Sequence, residues 1–87
     1  MVSQFVTVTN TTGLHLNPAG VFCQTAMRYK SRITFKLNGD ESNAKSVLSV
    51  LGACVFAGDE IELICEGEDE EEALQAMIDV VENGLGE

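Results

Sequence analysis

The chain has no tryptophan, one proline, one histidine, and five lysines and arginines against fourteen aspartates and glutamates. The formal charge of -9 is the wrong sign for neutralising the phosphates of DNA or RNA, or for lying on an anionic membrane. No stretch reaches the roughly 18 to 20 apolar residues that span a bilayer. The opening Met1-Val2-Ser3-Gln4 has neither the basic start nor the apolar centre of a signal peptide, so a cytoplasmic protein without membrane insertion is expected. A single histidine leaves no His pair for a metal. Cys23, Cys54 and Cys65 form no Cys-x-x-Cys pair and lie on separate segments, which argues against zinc. Each falls within an apolar pattern and reads as a buried thiol. No metal and no cofactor is expected. Eighty-seven residues bury only about two-thirds of their unfolded surface, enough for one domain and too little for a large catalytic cleft.

What is present is well punctuated, and 45% hydrophobic content excludes a disordered acidic tail. Residues 2–9 alternate as a strand with Val2, Val6 and Val8 on one face, a pattern that Phe5 breaks. Asn10-Thr11-Thr12-Gly13 is a loop. Asn17 as cap and Pro18 at the first helical position predict a helix over about 17–29, with Ala19, Phe22, Cys23, Ala26 and Met27 facing the core. Residues 31–37 alternate, with Ile33, Phe35 and Leu37 inward. Asn38-Gly39 predicts a hairpin turn and a short returning strand over 40–43. A short helix over 44–51 ends at Gly52. Residues 60–66 alternate with Ile61, Leu63 and Cys65 inward. Asp69 is expected to cap a last helix, with Glu72 closing a capping box. Its buried stripe is Leu74, Met77, Ile78, Val81 and Leu85, and Gly84 is its stop. The run Glu66–Glu72 holds six acids in seven positions. It reads as a solvated loop with charge suited to a helix N-terminus, and its spacing does not match a calcium loop. The order strand, helix, strand, strand, helix, strand, helix predicts one antiparallel or mixed sheet with helices on one face.

Two residues stand out chemically. His15 lies at the mouth of the first helix, whose leading N–H groups are unpaired and attract anions. A neutral imidazole there can attack a phosphoryl group, while those N–H groups and the helix dipole hold the added charge. Ser46 opens the short helix, either as an ordinary N-cap or as a phosphorylation site tolerated by the fold. Val47, Leu48, Val50 and Leu51 crowd that helix. It cannot bury all four, and Leu48 is expected to be the exposed one.

Gly13-Leu14-His15-Leu16-Asn17-Pro18-Ala19 resembles the active-site loop of HPr, the histidine-containing phosphocarrier family of the bacterial phosphoenolpyruvate-dependent sugar phosphotransferase system. Asn43-Ala44-Lys45-Ser46-Val47-Leu48-Ser49-Val50 resembles that family's serine-phosphorylation region. The separation of the two motifs, the length and the element order fit throughout. The resemblance implies an α+β open-faced β-sandwich over residues 1–87, a single HPr-like domain with a four-stranded antiparallel sheet and three helices on one side. It implies that Enzyme I phosphorylates His15 at Nδ1 and that the group passes to IIA domains of sugar permeases. It implies phosphoryl contacts from Leu16 and Asn17, and a docking surface of Leu16, Gly20, Gln24, Val47, Leu48 and Leu51. Ser46 would be the target of an HPr kinase/phosphorylase, and the seryl-phosphorylated form a ligand of a catabolite-control transcription factor. Nothing in this pattern demands more than a monomer, and it makes His15 a carrier site rather than a stand-alone enzyme.

One departure matters most. The family usually has an arginine two residues after the histidine, and this chain has Asn17. Removing a charge-assisted hydrogen bond without replacing it costs on the order of 1.5 to 3 kcal/mol. That is roughly tenfold to a hundredfold in transfer. The resemblance alone therefore predicts that Asn17→Arg speeds transfer. It also leaves an alternative: a regulatory HPr-like protein acting mainly through Ser46, with transfer through His15 weak or lost.

Overall fold

The computed structural model describes all 87 residues. Strand β1 (Val2–Thr7) leads into helix α1 (Leu16–Met27), the hairpin β2 (Arg32–Leu37) and β3 (Asp40–Asn43), helix α2 (Val47–Gly52), strand β4 (Glu60–Glu66) and helix α3 (Glu70–Glu82). The four strands make one antiparallel sheet in the order β1-β4-β2-β3. Helices α1 and α3 pack on each other, α3 lies on β1 and β4, and α2 sits between α1 and β3. The result is an open-faced α+β sandwich.

Alternation in the sequence decides which sheet face is covered. Val6, Ile61, Leu63, Cys65, Ile33 and Phe35 all point into the core, together with Val8 just past β1. Phe22 of α1 meets Phe35 of β2 edge to face, with ring centroids 5.3 Å apart. Burial pushes the Cys65 thiol up to about 11, so it is an inert core group. Asn38 and Gly39 both have positive φ, 53° and 89°, the geometry of a tight turn matched to strand twist.

The structure corrects four readings of the sequence. Helix α1 begins two residues early, with His15 rather than Asn17 as its N-cap. Pro18 is still accommodated because the third helical position also needs no intrahelical N–H bond. On α1, Thr25 is buried and Met27 is exposed; the Thr25 hydroxyl donates to the Val21 carbonyl at 2.9 Å, which satisfies it in the core. Of the cysteines, only Cys65 is buried; Cys23 is half-buried and Cys54 is exposed in a left-handed turn with φ 54°. On α3, Ala73 takes the core position where the buried stripe assigned Leu74, which is half-buried.

The capping box at α3 is also absent. Asp69 is the N-cap residue but makes no side-chain cap bond. Its carboxylate instead accepts from the Ser31 hydroxyl at 2.5 Å and from the Lys30 and Ser31 N–H groups at 2.9 Å. Glu70 accepts from the Gly67 N–H in its place. Asp69 thus staples the β4–α3 turn to the start of β2. The Ser31 hydroxyl, then the Lys30 N–H, lower its carboxyl from 3.8 to about 2. Because the folded value lies below the unfolded one, the staple stabilises fully above about pH 4 and is lost as pH falls toward 2. Asp69→Asn is expected to lower Tm near neutrality and to flatten the acid limb of a Tm-against-pH curve across that window. An acid limb unchanged from the parent would contradict this.

Candidate functional site

The site is assembled from two loops and a helix end that are distant in sequence. The loop 10–13 turns the chain out of β1. Gly13 has φ 64°, and its N–H donates to the Asn10 carbonyl at 3.3 Å. The next residue, Leu14, is buried, and its N–H donates to the Val55 carbonyl at 3.0 Å. Two residues from that anchored glycine, His15 takes up extended backbone (φ -101°, ψ 173°) and opens α1, its carbonyl accepting from the Ala19 N–H at 2.8 Å.

A second set of bonds holds the loop from the other end of the chain. The Glu87 carboxylate accepts from the Asn10 amide at 2.9 Å and from the Thr12 hydroxyl at 2.8 Å. The Asn10 amide also donates to the Gly13 carbonyl at 2.9 Å. The Asn10 amide, and then the Thr12 hydroxyl, hold the Glu87 carboxyl below the usual carboxylate range.

His15 itself is exposed and makes no side-chain cap bond, so its ring is free. It stands on the rim of an open groove of about 350 Å³ lined by Thr12, Leu14, His15, Leu16, Leu51, Cys54, Val55 and Phe56. Behind the ring, the N–H groups of Leu16 and Asn17 have no carbonyl four residues back within the helix, and Pro18 has none to offer. The mouth of α1 therefore offers two unpaired backbone donors and the positive end of a twelve-residue dipole.

The residues singled out in the sequence do not all meet at this groove. His15, Leu16 and Leu51 line it. Asn17 is exposed in the first turn of α1. Gly20 and Gln24 lie further along α1, and Val47 and Leu48 on α2, which packs beside α1. Leu16 is 65% exposed and Leu48 79% exposed, while Val50 is fully buried, as crowding on α2 required. Ser46 is the N-cap of α2, its hydroxyl accepting from the Ser49 N–H at 3.2 Å, and it remains half exposed.

Reading the sequence alone missed Phe56, which is 66% exposed and forms one wall of the groove. The available signal was a large apolar residue inside the turn-like Phe56-Ala57-Gly58-Asp59, where neither strand nor helix needs it.

This architecture defines a small open-faced sandwich that offers one free histidine at a helix mouth, bordered by apolar surface. The family model for the PTS HPr component phosphorylation site matches residues 2–83. The chain belongs to the HPr family, as a phosphocarrier or an HPr-like regulatory protein of the phosphotransferase system. It is 40% identical over 82 residues to the HPr-like protein Crh of Halalkalibacterium halodurans, covering 94% of this chain and 98% of the relative. It is 37% identical over 87 residues to the phosphocarrier protein HPr of Treponema pallidum, covering 100% and 99%. The crystal structure of HPr-C-His from Thermoanaerobacter tengcongensis superposes with a TM-score of 0.97 at 38% identity, covering 100% of this chain and 98% of that one.

Proposed function

We propose that this chain is a working phosphocarrier, one cytoplasmic domain over residues 1–87 that acts as a monomer. Enzyme I, charged from phosphoenolpyruvate, delivers a phosphoryl group to His15, and His15 passes it to IIA domains of sugar permeases. The free, exposed His15 ring beside an apolar groove at the mouth of α1 carries this reading. No helix of the chain is long and apolar enough to cross a membrane.

The chemistry is a displacement at phosphorus. The lone pair of His15 Nδ1 forms the new N–P bond, the donor's bond to phosphorus breaks, and its electron pair leaves with the donor. The Leu16 and Asn17 N–H groups stabilise the oxygens of the transferred group, and the Asn17 amide offers a further neutral donor. Delivery to the next acceptor is the same displacement reversed. Leu16, Gly20, Gln24, Val47, Leu48 and Leu51 form the docking surface, extended by Phe56, and hold donor and acceptor close enough for in-line transfer. A charged chain mixed with a purified IIA domain should lose its phosphoryl group as the IIA domain gains one. Retention of the label on this chain would oppose a carrier role.

Ser46 supports regulation of the same surface. Its hydroxyl caps α2, which presents Val47 and Leu48, so an HPr kinase/phosphorylase acting there would place a dianion beside the docking face. The seryl-phosphorylated form is then the one offered to a catabolite-control transcription factor. Ser46→Asp is expected to slow His15 phosphorylation by roughly tenfold, a cost near that of one charge-assisted hydrogen bond, without loss of fold. Equal initial rates for variant and parent would remove Ser46 as a regulator of docking. The alternative is a regulatory HPr-like protein acting mainly through Ser46, with transfer through His15 weak or lost because Asn17 replaces the usual arginine; two relatives are described as the HPr-like protein Crh.

A further inference from the structure

We propose that the cation missing at position 17 comes from the partner: the protein surface that docks on the His15 groove is an apolar projection rimmed by lysine or arginine. This rests on the phosphocarrier reading above and specifies the partner that the same site takes.

The groove itself is apolar, with Leu14, Leu16, Leu51, Val55 and Phe56 among its lining. Its rim is not neutral. The Thr12 hydroxyl, in the lining, donates to the Glu87 carboxylate at 2.8 Å. The Phe56 N–H, also in the lining, donates to the Asp59 carboxylate at 2.9 Å. Two carboxylates therefore stand one hydrogen bond from the groove, one bonded to each of its two loops.

No base on this chain offsets them. Residues 1–27 contain no lysine or arginine. Arg28 is the C-cap of α1, a twelve-residue helix whose first residue follows His15. That places it about 18 Å along the axis from the mouth, twice the ~8 Å over which charges act at physiological salt. Lys30 follows at the same end, and the Lys45 ammonium is held there by the Tyr29 carbonyl at 2.6 Å. Arg32 and Lys36 belong to β2, in register with Glu66 and Glu62 of β4. Four of the five bases thus lie away from the reacting end; Lys36 is toward that end of the sheet, but it alternates with the buried Phe35 and so stands on the uncovered face, opposite Glu62.

A transferring phosphoryl group is anionic and is delivered at a groove bordered by two carboxylates. An acidic docking face would add further like charge at close range, whereas a basic rim complements Glu87 and Asp59 and supplies the charge that Asn17 does not. The net charge of -9 favours the same partner during approach.

The test measures initial rates of His15 phosphorylation by phosphoenolpyruvate, magnesium and the host's Enzyme I, at low and high sodium chloride, for the parent and for Asn17→Arg. Self-phosphorylation of Enzyme I from phosphoenolpyruvate runs as a positive control. The parent's rate should fall roughly threefold or more as salt rises, since opposite charges attract less when screened. Asn17→Arg, folded by circular dichroism, should be no faster than the parent at low salt, because its charge repels the partner's. A parent rate that rises with salt, or a faster Asn17→Arg, overturns the inference and returns position 17 to the simple loss implied by the resemblance. If Enzyme I charges itself and neither chain is phosphorylated at any salt, the phosphocarrier reading fails, and this inference fails with it.

Discussion

His15→Ala is expected to abolish phosphoryl uptake from charged Enzyme I while leaving the fold intact. The ring is exposed and makes no side-chain cap bond, so the core loses nothing when it is removed. No second histidine exists to take over, and the exposed Cys54 in the groove gives no acid-labile phosphoramidate. The variant should match the parent in Tm within about 4 °C: His15 holds the N-cap position of α1 without a side-chain cap bond, and an exposed change that breaks no bond stays within about 0.5 kcal/mol. Residual labelling at parental rates would place the acceptor elsewhere.

Gly13→Ala should have the largest effect on stability of any change near the site. A Cβ there would stand 2.4 Å from the Val55 carbonyl oxygen and 2.7 Å from the Phe56 Cα, both backbone atoms. Residue 13 also has φ 64°, which favours glycine. Strain in the left-handed region costs about 1–2 kcal/mol, and overpacking about 1–3 more. For a chain this short that is a fall in Tm of roughly 10 °C or more. The damage reaches function because the 55–56 backbone is one wall of the groove and Leu14, its partner, precedes His15. Transfer should slow in the variant even at temperatures where it is fully folded. A Tm and rate equal to the parent's would show that the loop relaxes freely and that its anchoring to Val55 is unimportant.

Much of this fold is written in local pattern. The period-two alternation of Ile33, Phe35 and Ile61, Leu63, Cys65 decides the covered face, and Asn38-Gly39 fixes the hairpin. The crowding of Val47, Leu48, Val50 and Leu51 on six residues of helix required an exposed leucine, and Leu48 is that residue. What failed did so where distant groups compete for a local one. Asp69 looks like a capping residue until Lys30 and Ser31 arrive from another loop and take its carboxylate. Pro18 looks like the first residue of α1 because proline is tolerated throughout the first turn.

The site was legible as two separate halves. His15 before a helix is a reading of local chemistry, and the roles of Ser46 and the docking residues came through family resemblance. The groove could not be read, because Thr12 and Phe56 become neighbours only when the 10–13 loop packs on the 55–56 segment. The acidic rim was hidden for the same reason: Glu87 and Asp59 meet the groove through bonds that span the fold or close a turn.

The most direct test of the carrier function is intact-mass spectrometry of the parent chain at mildly alkaline pH, after incubation with phosphoenolpyruvate, magnesium and the host's Enzyme I. The expected result is a gain of one phosphoryl group that is stable in base and lost in acid, as a phosphoramidate on His15 must be. A folded chain that gains none, beside a control HPr that does, would contradict the carrier function and make Ser46 the centre of this protein's activity.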